Sequence, residues 1–299
     1  MKKMNDLGQQ INYNDLAKSY LDSLKEEGMK EFLSHISLPD EELMKYTSML
    51  LDSKEEYFHC KNCKNLLSCK NKVNGYCYLP RVVDGHLIFE YHACKYQKKQ
   101  EKDFAYLKNI SIFEEPKEIR EASMKNIYTD DKKRTPVIKW LVNFIKKYPN
   151  YSKGLYLHGN FGCGKTYLVS AMFHELAHQN IKSAILFWPE FLRDLKSSFK
   201  TDFQEKFEGI KKVPLLLLDD IGAESTTPWE RDEILSPLLQ YRMQEHLPTF
   251  FTSNLNLEEL EKHFSISKDS VDEVKARRIM ERIKQLTETI EMNSKNLRN

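Results

Sequence analysis

Gly159-Asn-Phe-Gly-Cys-Gly164-Lys165-Thr166 fits the phosphate-binding pattern G-x-x-x-x-G-K-[ST] at every position. The run Gly154-Leu-Tyr-Leu-His158 before it reads as a short buried strand. After it, Leu168, Ala171, Met172, Glu175 and Leu176 recur at helical spacing. A strand, a glycine loop and a helix start are the setting this motif needs. The glycines let backbone N–H groups curl around phosphates, and the helix N-terminus favours negative charge there. Gly159, Asn160, Phe161, Gly162, Cys163, Gly164 and Tyr167 thus outline a cradle. Lys165 would reach the β- and γ-phosphates, and the Thr166 hydroxyl would ligate Mg²⁺.

Further along, Val213-Pro-Leu-Leu-Leu-Leu218-Asp219-Asp220 is an apolar run ending in two carboxylates. Beside a phosphate-binding loop, Asp219 would hold the Mg²⁺ shell through water. Asp220 would orient or deprotonate the attacking water. A plain strand terminus can also end in two acids. Thr249-Phe-Phe-Thr-Ser-Asn254 is a second strand with a polar end, and Asn254 can meet a γ-phosphate or the lytic water at the sheet's carboxyl edge. A turn or helix cap would look the same. Ser270-Val-Asp-Glu273 matches a capping box and opens a helix carrying Arg277, Arg278 and Arg282. Arg278 and Arg282 share a face. They form either a solvated surface paired with Glu281 or an arginine finger for a neighbouring subunit's γ-phosphate.

From about residue 116 strands and helices alternate. Thr135-Pro136 starts a helix bearing Val137, Trp140, Leu141 and Phe144. Strands are expected at 154–158, 184–188, 213–218, 249–252 and 289–292. Such alternation implies an α/β fold with a central parallel sheet. Residues 11–52 read as helical instead, interrupted at Gly28, with a second helix near Pro39. The charged stretch from Lys95 to Lys108 reads as a linker or a solvated helix. Net charge is +2 over 299 residues, which argues against a strongly basic nucleic-acid coat but permits a local basic patch. No stretch has the apolar length of a membrane span, and the N-terminus lacks an apolar signal core, so a cytoplasmic location away from membranes is expected.

Five of the six cysteines fall between Cys60 and Cys94. In a reducing compartment that clustering suggests metal before disulfide. Cys60-Lys-Asn-Cys63 has the spacing of a structural zinc knuckle. Asp84-Gly85 between two apolar runs signals a hairpin that would bring Cys77 and Cys94 together at its open end. The expected Zn²⁺ ligands are Cys60, Cys63, Cys77 and Cys94, with Cys69 in place of Cys77 as the alternative. Ordinary buried thiols would also fit this composition.

Together, the loop, Asp219-Asp220-Ile-Gly222, Thr-Ser-Asn254 and Arg278-Ile-Met-Glu-Arg282 resemble the bacterial replicative-helicase loaders of the DnaC/DnaI group, in the AAA+ superfamily. Pro189-Glu-Phe-Leu-Arg193, Trp229-Glu-Arg-Asp-Glu233 and Leu247-Pro-Thr-Phe-Phe251 extend the likeness over nearly the whole chain. The resemblance implies a helicase-docking domain over residues 1–100 with a zinc module at about 57–96, a linker over 101–115, and an AAA+ domain over 116–299. It implies ATP and Mg²⁺ as ligands beside Zn²⁺. Its partners would be the hexameric replicative helicase, single-stranded DNA, other primosome proteins and further copies of itself. Lys165 and Thr166 map to Walker A, Asp219 and Asp220 to Walker B, and Asn254 to sensor 1. Arg282 fits the finger position by its spacing to the 289–292 strand, with Arg278 as the alternative. Cys77 stands where modules of this group can use a histidine. Two other functions remain in view: a transposition-helper AAA+ ATPase acting on duplex DNA, which would lack the zinc module, and a zinc-dependent nucleic-acid module with a degenerate nucleotide site. Arg193, Lys196 and Lys200 share a helical face that would either touch DNA phosphates or simply be solvated.

Overall fold

In the computed structural model, which describes residues 13–113, 116–197, 203–266 and 272–297, the chain divides into two units, Met1–Ala105 and Tyr106–Asn299. The first opens with helices α1 (Tyr13–Ser23), α2 (Met29–Leu33), α3 (Asp40–Leu43) and α4 (Thr47–Lys61). Gly28 interrupts them as expected: its φ is +79°, and a Cβ there would lie 2.5 Å from the Phe58 ring. Strands β1 (Tyr76–Val83) and β2 (His86–Ala93) pair as the expected hairpin. Asp84 and Gly85 form its two-residue turn, both with positive φ, as a type I′ turn demands. Leu87 joins Tyr20, Met29, Phe32, Leu43 and Leu50 in a small core under the hairpin.

Helix α5 (Lys95–Phe104) follows, N-capped by Cys94. The charged stretch therefore takes the helical alternative, since Lys, Gln and Glu are good helix formers. Residues 101–104 of the expected linker belong to this helix. A 3₁₀ turn (Ala105–Asn109) and strand β3 (Ile110–Phe113) continue from α5, while residues 114 and 115 lie outside the described set.

The second unit continues with α6 (Lys117–Arg120), α7 (Thr135–Lys147), β4 (Gly154–His158), α8 (Lys165–Ala177) and β5 (Ser183–Phe187). Next come α9 (Trp188–Ser197), α10 (Phe203–Lys212), β6 (Leu215–Asp219), a π-helical turn (Trp229–Leu235) and α11 (Ser236–Gln244). The last elements are β7 (Thr249–Ser253), α12 (Leu257–Ser265), α13 (Glu273–Leu286) and β8 (Thr287–Glu291). The six strands run in the order β3-β5-β6-β7-β4-β8, with every pairing parallel. All residues of β6 are buried, as a strand covered on both faces requires. Leu216 and Leu218 pack into the cluster built by α9–α13, and Leu215 and Leu217 into the one built by α7 and α8. The expected capping serine, Ser270, lies outside the described residues; α13 is instead capped by Asp272, whose carboxylate accepts from Lys275 N at 3.1 Å.

Strands β6, β7 and β4 are neighbours. Because they are parallel, the loop after β4, the acids ending β6 and the residue after β7 emerge side by side at one sheet edge. Open α/β sheets bind ligands at that edge.

Candidate functional site

The turn after β4 closes onto the N-terminus of α8 through Gly164, whose φ is +84°. Lys165 is buried at the start of α8. Its Nζ donates to the carbonyls of Gly159 and Asn160 and to Asn254 Oδ1, each at 2.9 Å. Asn254 Nδ2 in turn donates to Asp220 Oδ1 at 2.9 Å. The loop lysine, the polar residue after β7 and the second acid therefore form one chain of contacts.

A second chain runs beneath it. Thr166 Oγ1 donates to Asp219 Oδ1 at 2.6 Å, and Thr252 Oγ1 donates to the same oxygen. Thr252 Oγ1 also accepts from Asp220 N at 3.0 Å, fixing the Asp219–Asp220 step. Asp220 has φ +57°, a left-handed conformation that costs a non-glycine residue energy and turns the two carboxylates apart. Asp219 is only 6% exposed. Burial raises its pKa, and the two threonine hydroxyls oppose that rise by bonding to the charged form. Such a carboxylate has reason to take up a cation.

Of the remaining cradle residues, Phe161 is 73% exposed and Cys163 is buried. Tyr167 turns its ring toward the α7/α8 core, where its hydroxyl accepts from Ser123 N at 3.3 Å, so its backbone alone faces the cradle. Three features of the site were not read from the sequence. Thr252 looked like an ordinary strand residue. Arg134 is 1% exposed and donates from Nη1 to the Cys163 carbonyl from behind the loop. Residues 292–297 form a strap over the loop: Met292 N donates to His158 O at 2.7 Å and Leu297 N to Gly162 O at 2.9 Å. Ser294 Oγ anchors the strap on Asp131 Oδ2 at 2.6 Å. A Cβ on Gly159 would lie 2.3 Å from Met292 O, and one on Gly162 2.0 Å from Asn296 Oδ1, so these two glycines make room for the strap. A glycine in this motif gave no signal of that second duty.

Arg282 is half-buried and held by its own chain, with Nε donating to Gln240 Oε1 at 3.0 Å and Nη1 to Ser236. Arg278 is exposed and makes no hydrogen bond or ion pair among the described residues. Both line a groove of about 360 Å³ on α13. Arg193 pairs with Glu190 at 2.6 Å, Lys196 is exposed, and Lys200 lies outside the described residues.

In the first unit, Cys63 N donates to Cys60 O at 3.2 Å in the turn that closes α4. Cys77 is buried, with Cys60 and Cys69 near enough to act on it electrostatically; burial pushes its thiol pKa up. Cys94 N donates to Gly75 O at 2.8 Å at the open end of the hairpin, and Gly75 N donates to Cys69 Sγ at 3.4 Å. Cys63 Sγ instead faces the Asn65 carbonyl at 3.1 Å. Among the described residues no group of three or more His, Cys, Asp or Glu side chains is disposed to hold a metal ion. The structure thus gathers the cysteines in one region without drawing the expected four into a ligand set.

A parallel sheet that presents a phosphate-binding loop, an acidic pair and a polar sensor on three adjacent strands defines an ATP-binding protein of the AAA+ type. The chain belongs to the IstB-like ATP binding proteins, whose profile matches residues 70–299, and among them to the helicase-loader family of DnaI. The replicative helicase loader DnaI of Bacillus subtilis (strain 168) is 36% identical over 293 residues, 93% of each chain. A crystal structure of DnaI is 46% identical and superposes with a TM-score of 0.57 over 64% of this chain and 99% of its own. The DnaC helicase loader, at 20% identity and a TM-score of 0.52, shares the fold over 60% of this chain and all of its own. No helix among the described residues is long and apolar enough to cross a membrane.

Proposed function

We propose that this protein is an ATP-switched loader that delivers the hexameric replicative helicase onto single-stranded DNA as other primosome proteins assemble. The observation that carries this reading is the complete nucleotide network, Lys165–Asn254–Asp220 above Thr166–Asp219–Thr252, in a chain alignable with a replicative helicase loader over 93% of its length. That alignment includes the first unit, which favours a loader over other ATP-binding proteins of the family. The first unit would dock the helicase and the second would bind ATP and DNA.

Lys165 is held by two loop carbonyls and Asn254. A triphosphate offers it better acceptors, and its departure releases Asn254 Oδ1 to orient a water molecule. Asp220, steadied by Asn254 Nδ2, then accepts the water's proton as its oxygen attacks the γ-phosphorus and the bond to ADP breaks. Thr166 and Asp219 suit Mg²⁺: both are oxygen donors, already converging at 2.6 Å. When bound, the ion supplies neutralisation of phosphate charge. An arginine finger from a neighbouring subunit completes the site. We assign it to Arg278, because Arg282 is tethered to Ser236 and Gln240; this reverses the order expected from spacing alone.

The cysteine region would hold a structural zinc only if its sulfurs closed up into a ligand set. N–H donors point at three sulfurs, with Asn71 Nδ2 on Cys60, Gly75 N on Cys69 and Gln97 N on Cys94, the arrangement that stabilises thiolates. We retain Cys60, Cys63, Cys77 and Cys94 as ligands, with Cys69 as the replacement for Cys77.

The test is helicase retention on circular single-stranded DNA with ATP present. The wild-type protein should raise retention and Lys165→Ala should not, although it still binds the helicase. Retention by the variant equal to wild type, or no helicase binding by either protein, defeats the proposal.

A further inference from the structure

Arg134 is an unusual group to find behind a phosphate-binding loop. Its guanidinium is almost wholly buried, yet its Nε has no hydrogen-bond partner. It forms no ion pair among the described residues. The acid that acts on it electrostatically is Asp131, and that carboxylate is already engaged. Asp131 accepts from Lys133 N at 2.9 Å, Ser294 Oγ at 2.6 Å and Lys295 N at 3.4 Å. An arginine does not shed its proton in a protein. A buried charge without a partner is costly, so Arg134 is a cation in want of a counter-charge.

The place where a counter-charge would arrive is next to it. Nη1 donates to the Cys163 carbonyl, and a Cβ on Gly164 would stand 3.4 Å from Nη1 and 3.5 Å from Nη2. Both terminal nitrogens therefore press on the back of the loop at its last glycine, one residue before Lys165. Because a trans peptide sets its C=O and N–H on opposite sides, drawing the Cys163 carbonyl backwards turns the Gly164 N–H the other way.

We propose that Arg134 is a nucleotide-positioning residue that acts through the loop backbone. It would touch no atom of the ligand. Its bond to Cys163 sets the loop's shape, and its charge, shielded from solvent, adds to that of Lys165 in attracting phosphate. This rests on the reading of the loop as an ATP site, and ATP binding by the wild-type protein checks that reading separately.

The experiment compares ATP affinity, by calorimetry on the full chain, for wild type, Arg134→Lys, Arg134→Gln and Arg134→Met. It also records the Tm of each without nucleotide. Loss of a unit charge at this range should weaken ATP binding on the order of tenfold in both neutral variants. Arg134→Lys should recover most of the affinity. Arg134→Gln is neutral and too short to hold the Cys163 carbonyl as Nη1 does, so it removes charge and bond together, while Arg134→Lys keeps the charge. A structural arginine would behave differently, because its neutral variants would melt early while the folded fraction bound ATP normally. Wild-type affinity in Arg134→Gln, or equal losses in Arg134→Lys and Arg134→Met, overturns the proposal. Should Arg134→Met not fold, the Lys and Gln pair decides alone.

Discussion

Asp219 shows how much one residue at this site depends on its neighbours. Two hydroxyls converge on one of its oxygens, from Thr166 on α8 and Thr252 on β7. Replacing Thr252 with Val removes a donor from a buried carboxylate and releases the backbone N–H of Asp220, at a cost of about 1–3 kcal/mol within the site. Steady-state ATP turnover by Thr252→Val should fall about tenfold or more, with ATP affinity changed far less, because Lys165 and the loop are untouched. Arg278 makes the complementary case. Arg278→Ala should bind ATP normally yet gain no turnover when helicase and single-stranded DNA are added. Mixing it with Lys165→Ala protein should restore activity at interfaces that pair an intact loop with an intact finger. A mixture as inactive as either variant, while both bind helicase, would place Arg278 outside the shared site.

Among the elements, the strands bearing the site were legible because each is an apolar run with a chemically distinct end. Gly154–His158, Leu215–Asp219 and Thr249–Ser253 lie within two residues of where the sequence places them. The hairpin at Asp84-Gly85 was equally plain, since few turns other than type I′ ask for that dipeptide. β3 escaped notice because four residues beside a charged helix carry too little pattern, and it is a sheet edge that needs only its pairing with β5. Arg134 and Thr252 escaped because their roles depend on residues more than twenty positions away in sequence. Arg242 belongs with them. It is fully buried, and its guanidinium donates to Thr249 Oγ1 at 2.8 Å and to the carbonyls of Val213 at 2.7 Å and Pro248 at 2.8 Å. It thereby pins the entries of β6 and β7 to α11. Arg242→Met would strand those carbonyls and should lower stability by about 2–4 kcal/mol, read as a drop in denaturant midpoint. An unchanged midpoint would mean that water replaces the guanidinium there.

At the scale of the whole molecule, the two units have unequal means of support. The second rests on two large clusters, one on each face of its sheet, whereas the first has a single small core beneath its hairpin. A small core of that kind commonly leans on a metal staple. Chelation should therefore loosen residues 57–96 while ATP binding by the second unit persists, and hydrogen exchange would resolve the two. Protein purified without chelator and found free of zinc would refute the staple. The strap over the loop ties the nucleotide site to the order in which the chain is made. Cys163 and Met292, in contact in the folded protein, are 129 residues apart. At typical synthesis speeds that separation is on the order of ten seconds. For that interval the nascent loop exists with its lysine but without its brace, while β4 still awaits β7 and β8 on either side. A released chain truncated after Glu291 should therefore bind ATP about tenfold more weakly than the full chain, as loss of two backbone hydrogen bonds to the loop would predict. Nascent copies would then compete poorly for ATP until translation has passed the strap, so the timing of synthesis would itself act as a safeguard against premature assembly.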